Sequence, residues 1–242
     1  MIKYIRFKDQ FDAAQMQQEL ALLENTLWKN HYNTSNYEGD WSTIQLRSVN
    51  GRTDNNTAIQ VAALQGGNNY RDTPLMEQCG YIKQVADFFQ MDKTTIRLMK
   101  LGAGAIIKPH VDDALNFEEG EVRIHIPVVT NPGLKFYLED ERLLMEEGSC
   151  WYLNLSRKHR VVNEGSSPRV HLVIDGIVND WLRDYFAADH PLRVVLDDPA
   201  SEPVYSTEDK VKIIAQLRSM QNETGHRLAD EMEATLKPSN DK

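Results

Sequence analysis

Cysteine is scarce in this chain, whose 242 residues include only Cys79 and Cys150. Neither residue belongs to a CxxC pair or to another spacing typical of thiolate metal ligands, which argues against a structural zinc site. Both cysteines stand among apolar residues. We therefore expect two buried free thiols in a reducing compartment.

Long apolar runs and an excess of positive charge are also lacking. The first seven residues have no apolar core of a signal peptide, and no segment reaches the length of a membrane span. The sequence therefore predicts a soluble cytoplasmic protein with no membrane partner. A net charge of -9 argues against nucleic acid as the main partner, although Arg157, Lys158 and Arg160 could form a local basic patch.

The pattern of apolar residues predicts a mainly β protein with flanking helices, of the α+β class. Residues 1–7 and 41–48 alternate like strands, whereas residues 11–24 and 74–90 carry helical stripes and residues 49–69 read as loop. After Thr94 the chain changes to eight short alternating runs separated by turn residues, as in a jelly-roll sandwich or barrel. These runs are residues 95–101, 106–110, 122–130, 134–138, 142–146, 149–154, 159–163 and 168–175.

The domain organisation follows from where this pattern stops. We expect a jelly-roll domain over residues 1–188, closed by a helix at 178–188, and a linker with a helical extension over residues 189–242. The linker covers residues 191–203 and the last helix residues 207–236. This extension could cover a functional site, form a homodimer or do neither.

The short stretch Pro109-His110-Val111-Asp112 is the first candidate for chemistry. Residues two apart on an extended chain point to one side, so an imidazole nitrogen and a carboxylate oxygen could hold one metal ion. His159, at the start of a later run, supplies a second imidazole. Two histidines and one carboxylate with open positions favour Fe(II) over structural zinc. Taken singly, each residue is better explained as a polar surface group, and only the set favours a metal.

Three further residues are candidates for an anion site. Arg169 opens an apolar strand, and a buried arginine needs a partner: a ligand carboxylate gripped in two places, or one of the acidic side chains. Arg123 and His125 share one face of their strand and could line the same cavity, or His125 could be a core histidine. His171 shares the face of Arg169 but could equally be structural, and we leave it out of the site.

Taken together, these segments resemble the aspartyl/asparaginyl β-hydroxylase family, which includes bacterial hydroxylases of free proline. The resemblance covers roughly residues 37–186 and is specific as a set, although each motif alone is weak. Asp112 keeps an acid that some animal members lack, so the chain is more similar to the bacterial small-molecule enzymes. The matching motifs are Gly39–Ser48, Pro109–Asp112, Val122–Pro127, Gly148–Asn154, His159–Asn163 and Arg169–Asp175.

The resemblance implies a double-stranded β-helix that holds Fe(II) and 2-oxoglutarate. By motif, His110, Asp112 and His159 are the iron ligands, and Arg169 grips the distal carboxylate of 2-oxoglutarate. His125 and Arg123 are expected to contact the same cosubstrate. No catalytic side chain beyond the metal centre is expected.

The function expected from the sequence is a 2-oxoglutarate-dependent dioxygenase that uses O2 to hydroxylate a C–H bond of an amino acid, free or in a peptide. The products of 2-oxoglutarate are succinate and CO2. Two alternatives stay open: a metal-dependent enzyme of the cupin type that does not use 2-oxoglutarate, and a non-catalytic β-sandwich binding module. The polar loops with Tyr32, Asn33, Tyr37, Arg52, Asn55 and Asn56 could close over a zwitterion or face solvent.

Overall fold

A computed structural model gives the fold of residues 1–23, 28–31, 33–54 and 69–196, together with single positions between 211 and 233. The chain divides into two compact units, Met1–Leu196 and Asp197–Lys242. In the second unit the described residues are helical, as predicted for residues 207–236, and Arg218 pairs with Asp230 and Glu233.

The first unit is built mainly from strands, with three α-helices among its described residues. The helices are α1 (Ala13–Leu22), α2 (Gly80–Phe88) and α3 (Asp180–Ala187). The strands before α2 are β1 (Ile2–Gln10), β2 (Lys29–Asn30), β3 (Tyr37–Glu38), β4 (Trp41–Val49) and β5 (Tyr70–Asp72). The strands after it are β6 (Asp92–Leu101), β7 (Ile106–His110), β8 (Glu121–Val129), β9 (Leu134–Leu138), β10 (Glu141–Leu143), β11 (Ser149–Leu153), β12 (His159–Asn163), β13 (Arg169–Ile177) and β14 (Leu192–Val195).

These strands form two antiparallel sheets. The larger sheet runs β14-β1-β11-β8-β13-β6-β4-β2, with β5 paired to β4, and the smaller sheet runs β10-β9-β12-β7-β3. One core cluster takes side chains from both sheets, such as Leu101 and Val173 from the larger and Phe136 and Val161 from the smaller. The two sheets therefore pack face to face, and the predicted jelly-roll core is confirmed.

The other face of the larger sheet is covered by the helices. A second core cluster joins strand residues such as Ile124 and Ile174 to Met16 of α1, Ile82 of α2 and Phe186 of α3. Caps set where two of these helices begin, since the side chains of Asp12 and Asn179 accept hydrogen bonds from backbone N–H groups of the first turn. The helices thus cover the outer face of the larger sheet. No residue described in them contributes to the core cluster between the two sheets.

Two sequence predictions about secondary structure need correction. The helix predicted over residues 74–90 is broken: a 3-10 turn at Met76–Gln78 precedes α2, and Cys79 between them has a non-helical backbone. The predicted linker over residues 191–203 contains β14, because this segment pairs antiparallel with β1. The first compact unit, which contains β14, runs to Leu196. Residues 55–68 of the predicted loop lie outside the described residues.

Both cysteines are buried and unpaired in the structure. Burial raises the pKa of the Cys79 thiol to about 11 and raises that of Cys150 well above its usual value. We expect neither thiol to react with a thiol reagent such as dithionitrobenzoate in the folded protein at pH 8, because the thiolate is the reactive form. Two equivalents should react after denaturation, counted spectrophotometrically. Fewer than two, in protein isolated without exposure to an oxidant or a thiol-blocking reagent, would contradict free thiols.

Candidate metal centre

Strand pairing brings His110 and His159 together although they lie far apart in sequence. His110 ends β7, His159 begins β12, and the two residues are direct partners in the antiparallel register. Their ring centroids lie 4.2 Å apart. β7 ends at His110, and two residues on, the backbone N–H of Asp112 donates to the carbonyl of Leu155 at 2.9 Å. The chain turns only after Asp112, at residues 113–114, so the carboxylate of Asp112 stays beside the two rings.

The three side chains offer one donor set. One ligand atom each from His110, Asp112 and His159 lies within 4.8 Å of the others, a spacing that fits a single metal ion. The neighbouring acid Asp113 is not part of this donor set, which was found among the described residues. The structure therefore brings together the three residues predicted from the sequence as metal ligands.

Hydrogen bonds fix which nitrogen each histidine presents. Nδ1 of His110 lies 2.8 Å from the carbonyl oxygen of Lys108, and Nδ1 of His159 lies 3.0 Å from that of Arg157. A carbonyl oxygen can only accept, so both Nδ1 atoms carry a hydrogen, and Nε2 is the nitrogen that each ring can offer to a metal. Metal-binding histidines commonly have this arrangement, which holds the ring in one orientation.

Arg123 holds the third ligand. Its Nη1 donates to Oδ2 of Asp112 at 2.7 Å, while Oδ1 of Asp112 lies 3.6 Å from Nε2 of His110. Burial would raise the pKa of Asp112, but Arg123 and the two histidines lower it, and the net shift is downward. Burial, followed by repulsion from His110, lowers the pKa of His159 to about 4. Asp112 and His159 are therefore deprotonated at neutral pH, as metal binding requires.

The donor set lines a cavity of about 750 Å³ between the sheets. At its wall, His31 stacks on Trp41 with ring centroids 3.6 Å apart. Asn33 also lines the cavity, whereas Tyr32, Asn55 and Asn56 lie outside the described residues. A cavity of this size matches the volumes usual for small-molecule sites.

Arg169 lies in the same cavity and is 3% exposed. Burial lowers the pKa of its guanidinium to about 9, so the group is still charged at neutral pH. Among the described residues no carboxylate lies within ion-pair distance of it, and one of its nitrogens is 2.8 Å from Nδ1 of His171. The salt bridge offered as the alternative for Arg169 is thus not found in the described part of the chain. A buried cation without an anion is costly and suits an anionic ligand.

His125 and Arg123 leave β8 on the same side, as the alternation of that strand predicted. Both line the cavity, and Nε2 of His125 is buried without a hydrogen-bond partner among the described residues. Arg123 contacts Asp112 and Asp175, so the structure adds these two acids to the partners expected for it. Contact of His125 and Arg123 with a cosubstrate stays a prediction.

Asp175 is a site residue that the sequence reasoning missed. It accepts hydrogen bonds from Arg123, Arg97 and Thr95, and all four side chains line the cavity. Although burial would raise the pKa of Asp175, the two guanidinium groups lower it far below its usual range. The alternation of β13 held a signal for it, since Asp175 shares the strand face of Arg169.

Replacing Asp175 by asparagine should lower the free energy of unfolding at pH 7 by about 3–5 kcal/mol, the usual cost of removing one partner of a buried ion pair. The folded pKa of Asp175 lies below its unfolded value of about 3.9, so its contribution is complete above that pH and is lost as the pH falls further. Urea unfolding between pH 7 and pH 3 should therefore show a shallower acid dependence in Asp175→Asn. The exposed Asp184→Asn serves as control, and equal stability of both variants at pH 7 would contradict the assignment.

The sequence of this chain is similar to that of known proteins. A profile of the family described as aspartyl/asparaginyl beta-hydroxylase matches residues 10–178. An L-proline cis-4-hydroxylase from Rhizobium meliloti (strain 1021) is 27% identical over 172 residues, which are 69% of this chain and 58% of that protein. The chain thus spans less than two thirds of the length of this relative.

The solved structures that resemble this chain share less sequence with it. A prolyl-4-hydroxylase from Pseudomonas putida is 13% identical, with a TM-score of 0.43 over 73% of this chain and 92% of that one. The non-heme alpha ketoglutarate dependent epimerase SnoN from nogalamycin biosynthesis is 10% identical, with a TM-score of 0.46 over 73% and 78% of the two chains.

No helix among the described residues is long and apolar enough to span a membrane.

Proposed function

Because the chain belongs to the aspartyl/asparaginyl β-hydroxylase family, we propose that it is an Fe(II)- and 2-oxoglutarate-dependent dioxygenase that hydroxylates a C–H bond of an amino acid. The observation that carries the proposal is the position of Arg169. This buried guanidinium has no carboxylate partner among the described residues and lines the same cavity as His110, Asp112 and His159. A metal site and an anion site that share one cavity suit a cosubstrate with a carboxylate at its far end.

The residues fit an iron centre. Nε2 of His110, Nε2 of His159 and the carboxylate of Asp112 would hold Fe(II) as the two-histidine, one-carboxylate triad of non-haem oxygenases. When bound, iron with 2-oxoglutarate supplies the oxidative decarboxylation to succinate and CO2 that is coupled to C–H hydroxylation. Arg123 occupies Oδ2 of Asp112 and so leaves Oδ1, the oxygen nearer His110, for the metal.

Arg169 would bind the distal carboxylate of 2-oxoglutarate. A guanidinium presents N–H groups in a planar fork that matches the two oxygens of a carboxylate, which fixes orientation as well as position. The site is dry enough to strengthen such a contact, since both Arg169 and His125 are buried. His125 would contribute to the same end of the cavity.

The substrate is proposed to be a free amino acid, with L-proline the first to test because a relative of this chain is an L-proline cis-4-hydroxylase. The wall of the cavity also combines charged groups, Arg97, Arg123 and Asp175, with the apolar ring of Trp41. Charges of both signs beside an apolar surface suit a small zwitterion. These side chains would orient one C–H bond towards the metal and exclude bulk water.

The proposal is tested by turnover. Protein loaded with Fe(II) is mixed with 2-oxoglutarate, O2 and one amino acid at a time from a panel that includes L-proline, and succinate is measured beside the hydroxylated product. We expect one amino acid to raise succinate formation well above the rate without substrate, with one product molecule per succinate. A panel that includes short peptides and still leaves succinate at background would contradict the proposal. Hydroxylation without 2-oxoglutarate would favour the cupin-type alternative.

A further inference from the structure

His171 is a fully buried residue that lies directly behind the proposed 2-oxoglutarate site. It follows Arg169 by two positions on β13, so the two side chains leave the strand on the same face. Arg169 lines the cavity, whereas His171 is not among the residues that do. Its 0% exposure excludes direct contact with solvent.

The contact between Arg169 and His171 determines the state of the imidazole. Nη2 of Arg169 lies 2.8 Å from Nδ1 of His171. A guanidinium can only donate hydrogen bonds, so Nδ1 of His171 accepts and its hydrogen is on Nε2. His171 is therefore a neutral acceptor, and its burial beside a cation favours the same state.

The same nitrogen faces His125. Nδ1 of His125 lies 3.4 Å from Nδ1 of His171. Nδ1 of His171 has a single lone pair, and the closer Arg169 takes it. His125 is instead a ring neighbour, whose ring packs edge-on against that of His171 with centroids 5.7 Å apart. His171 thus accepts from Arg169 and contacts His125, the two residues predicted to contact 2-oxoglutarate.

The environment of Nε2, the other nitrogen of His171, indicates that packing alone does not explain a histidine at this position. Nε2 is buried and has no hydrogen-bond partner among the described residues. Across the sheet, the residues opposite His171 are Met99 on β6 and Pro127 on β8. An apolar side chain would fill this space without leaving a polar atom unsatisfied, so packing alone gives no reason for a histidine.

We propose that His171 is a positioning residue: its Nδ1 holds the guanidinium of Arg169, beside the ring of His125, in the orientation that receives the distal carboxylate of 2-oxoglutarate. This inference rests on the proposed function. It concerns the binding free energy of the distal carboxylate of 2-oxoglutarate. It predicts no change in metal affinity, because the contacts described for His171 include none with a metal ligand.

The test compares two acids that share the keto-acid end and differ at the other. The full chain loaded with Fe(II) is titrated anaerobically with 2-oxoglutarate and with 2-oxobutyrate, which lacks the distal carboxylate. The ratio of the two dissociation constants measures how well the distal carboxylate is recognised. We expect His171→Leu, which removes the acceptor at similar volume, to reduce this ratio at least fivefold and to leave the affinity for Fe(II) unchanged.

His171→Asn is the matched control, because its side-chain oxygen takes nearly the position of Nδ1 and can accept from Arg169. It should restore the ratio to within about twofold of wild type, which a change in packing alone would not do. If His171→Leu does not fold, His171→Gln replaces it, since its oxygen reaches the position of Nε2 and leaves Arg169 without the acceptor.

Two outcomes overturn the inference. One is an unchanged ratio in folded His171→Leu or His171→Gln, and the other is an equal reduction in the asparagine variant, which would indicate packing. Failure of the proposed function gives a different result: wild-type protein would then show no preference for 2-oxoglutarate over 2-oxobutyrate.

Discussion

Replacing His159 by alanine should reduce the affinity of the protein for Fe(II) by well over 100-fold. His159 supplies one of three ligand atoms, and even the loss of a group that only orients a metal ligand typically costs about 10–100-fold. The paired histidine on β7 cannot compensate, because its single available nitrogen already belongs to the donor set. His110→Ala should show the same loss.

The measurement is metal content after anaerobic loading and desalting, with about one Fe(II) per chain expected for the wild type. Lys158→Ala is the matched control: it changes the exposed neighbour of His159 and leaves the backbone carbonyls of this turn in place. Full metal affinity in both histidine variants would refute the assignment of the triad.

Replacing Arg169 by alanine should weaken the binding of 2-oxoglutarate well over tenfold and leave iron binding intact. The guanidinium is buried and has no carboxylate of the described chain to neutralise it, so the ligand carboxylate would be its partner. Removing one member of such a buried pair costs on the order of 2–5 kcal/mol, and 1.4 kcal/mol corresponds to tenfold in affinity. Arg169→Lys should fall between wild type and alanine, because lysine offers a point charge and no fork.

Anaerobic calorimetry with Fe(II)-loaded protein measures this effect, and the exposed Arg193→Ala is the control for loss of a positive charge. A purely structural role for Arg169 predicts the opposite pattern: a lower melting temperature with unchanged affinity per folded molecule. That result in Arg169→Ala would favour a metal enzyme that does not use 2-oxoglutarate.

Two of the three metal ligands could be predicted from the sequence because they are close neighbours in the chain. His110 and Asp112 are two positions apart at a strand end, and period-two alternation is enough to place them on one side. The partner His159 was found through the all-β pattern and the family resemblance. Only the structure shows the reason for their approach, the direct register of β7 with β12.

The contacts around the ligands could not be predicted in the same way. Asp175, Arg97 and Thr95 meet because β13 pairs with β6, and a single sequence without an alignment does not reveal which strands are neighbours. The hydrogen bond between Arg169 and His171 lies within one strand, and the alternation placed both on one face. What alternation does not specify is whether such a pair faces a cavity or the core.

Two errors in secondary structure have physical causes of the same kind. Proline and aspartate recur over residues 191–203 and indicate a linker, yet the edge of β1 provides a partner for Leu192–Val195, which form β14. The apolar stripe over residues 74–90 continues across Cys79, where the helix is interrupted. Tertiary pairing and local backbone geometry override the periodicity in these places.

The most direct test of the central claim, that one cavity binds both Fe(II) and 2-oxoglutarate, is an anaerobic titration of 2-oxoglutarate into Fe(II)-loaded wild-type protein. The metal-to-ligand absorption band in the visible region is followed. We predict a band that saturates at about one 2-oxoglutarate per iron, is absent without iron and is lost in the His110→Ala and His159→Ala variants. Iron-loaded protein that develops no band at saturating 2-oxoglutarate, or a band that persists in both histidine variants, would contradict the account.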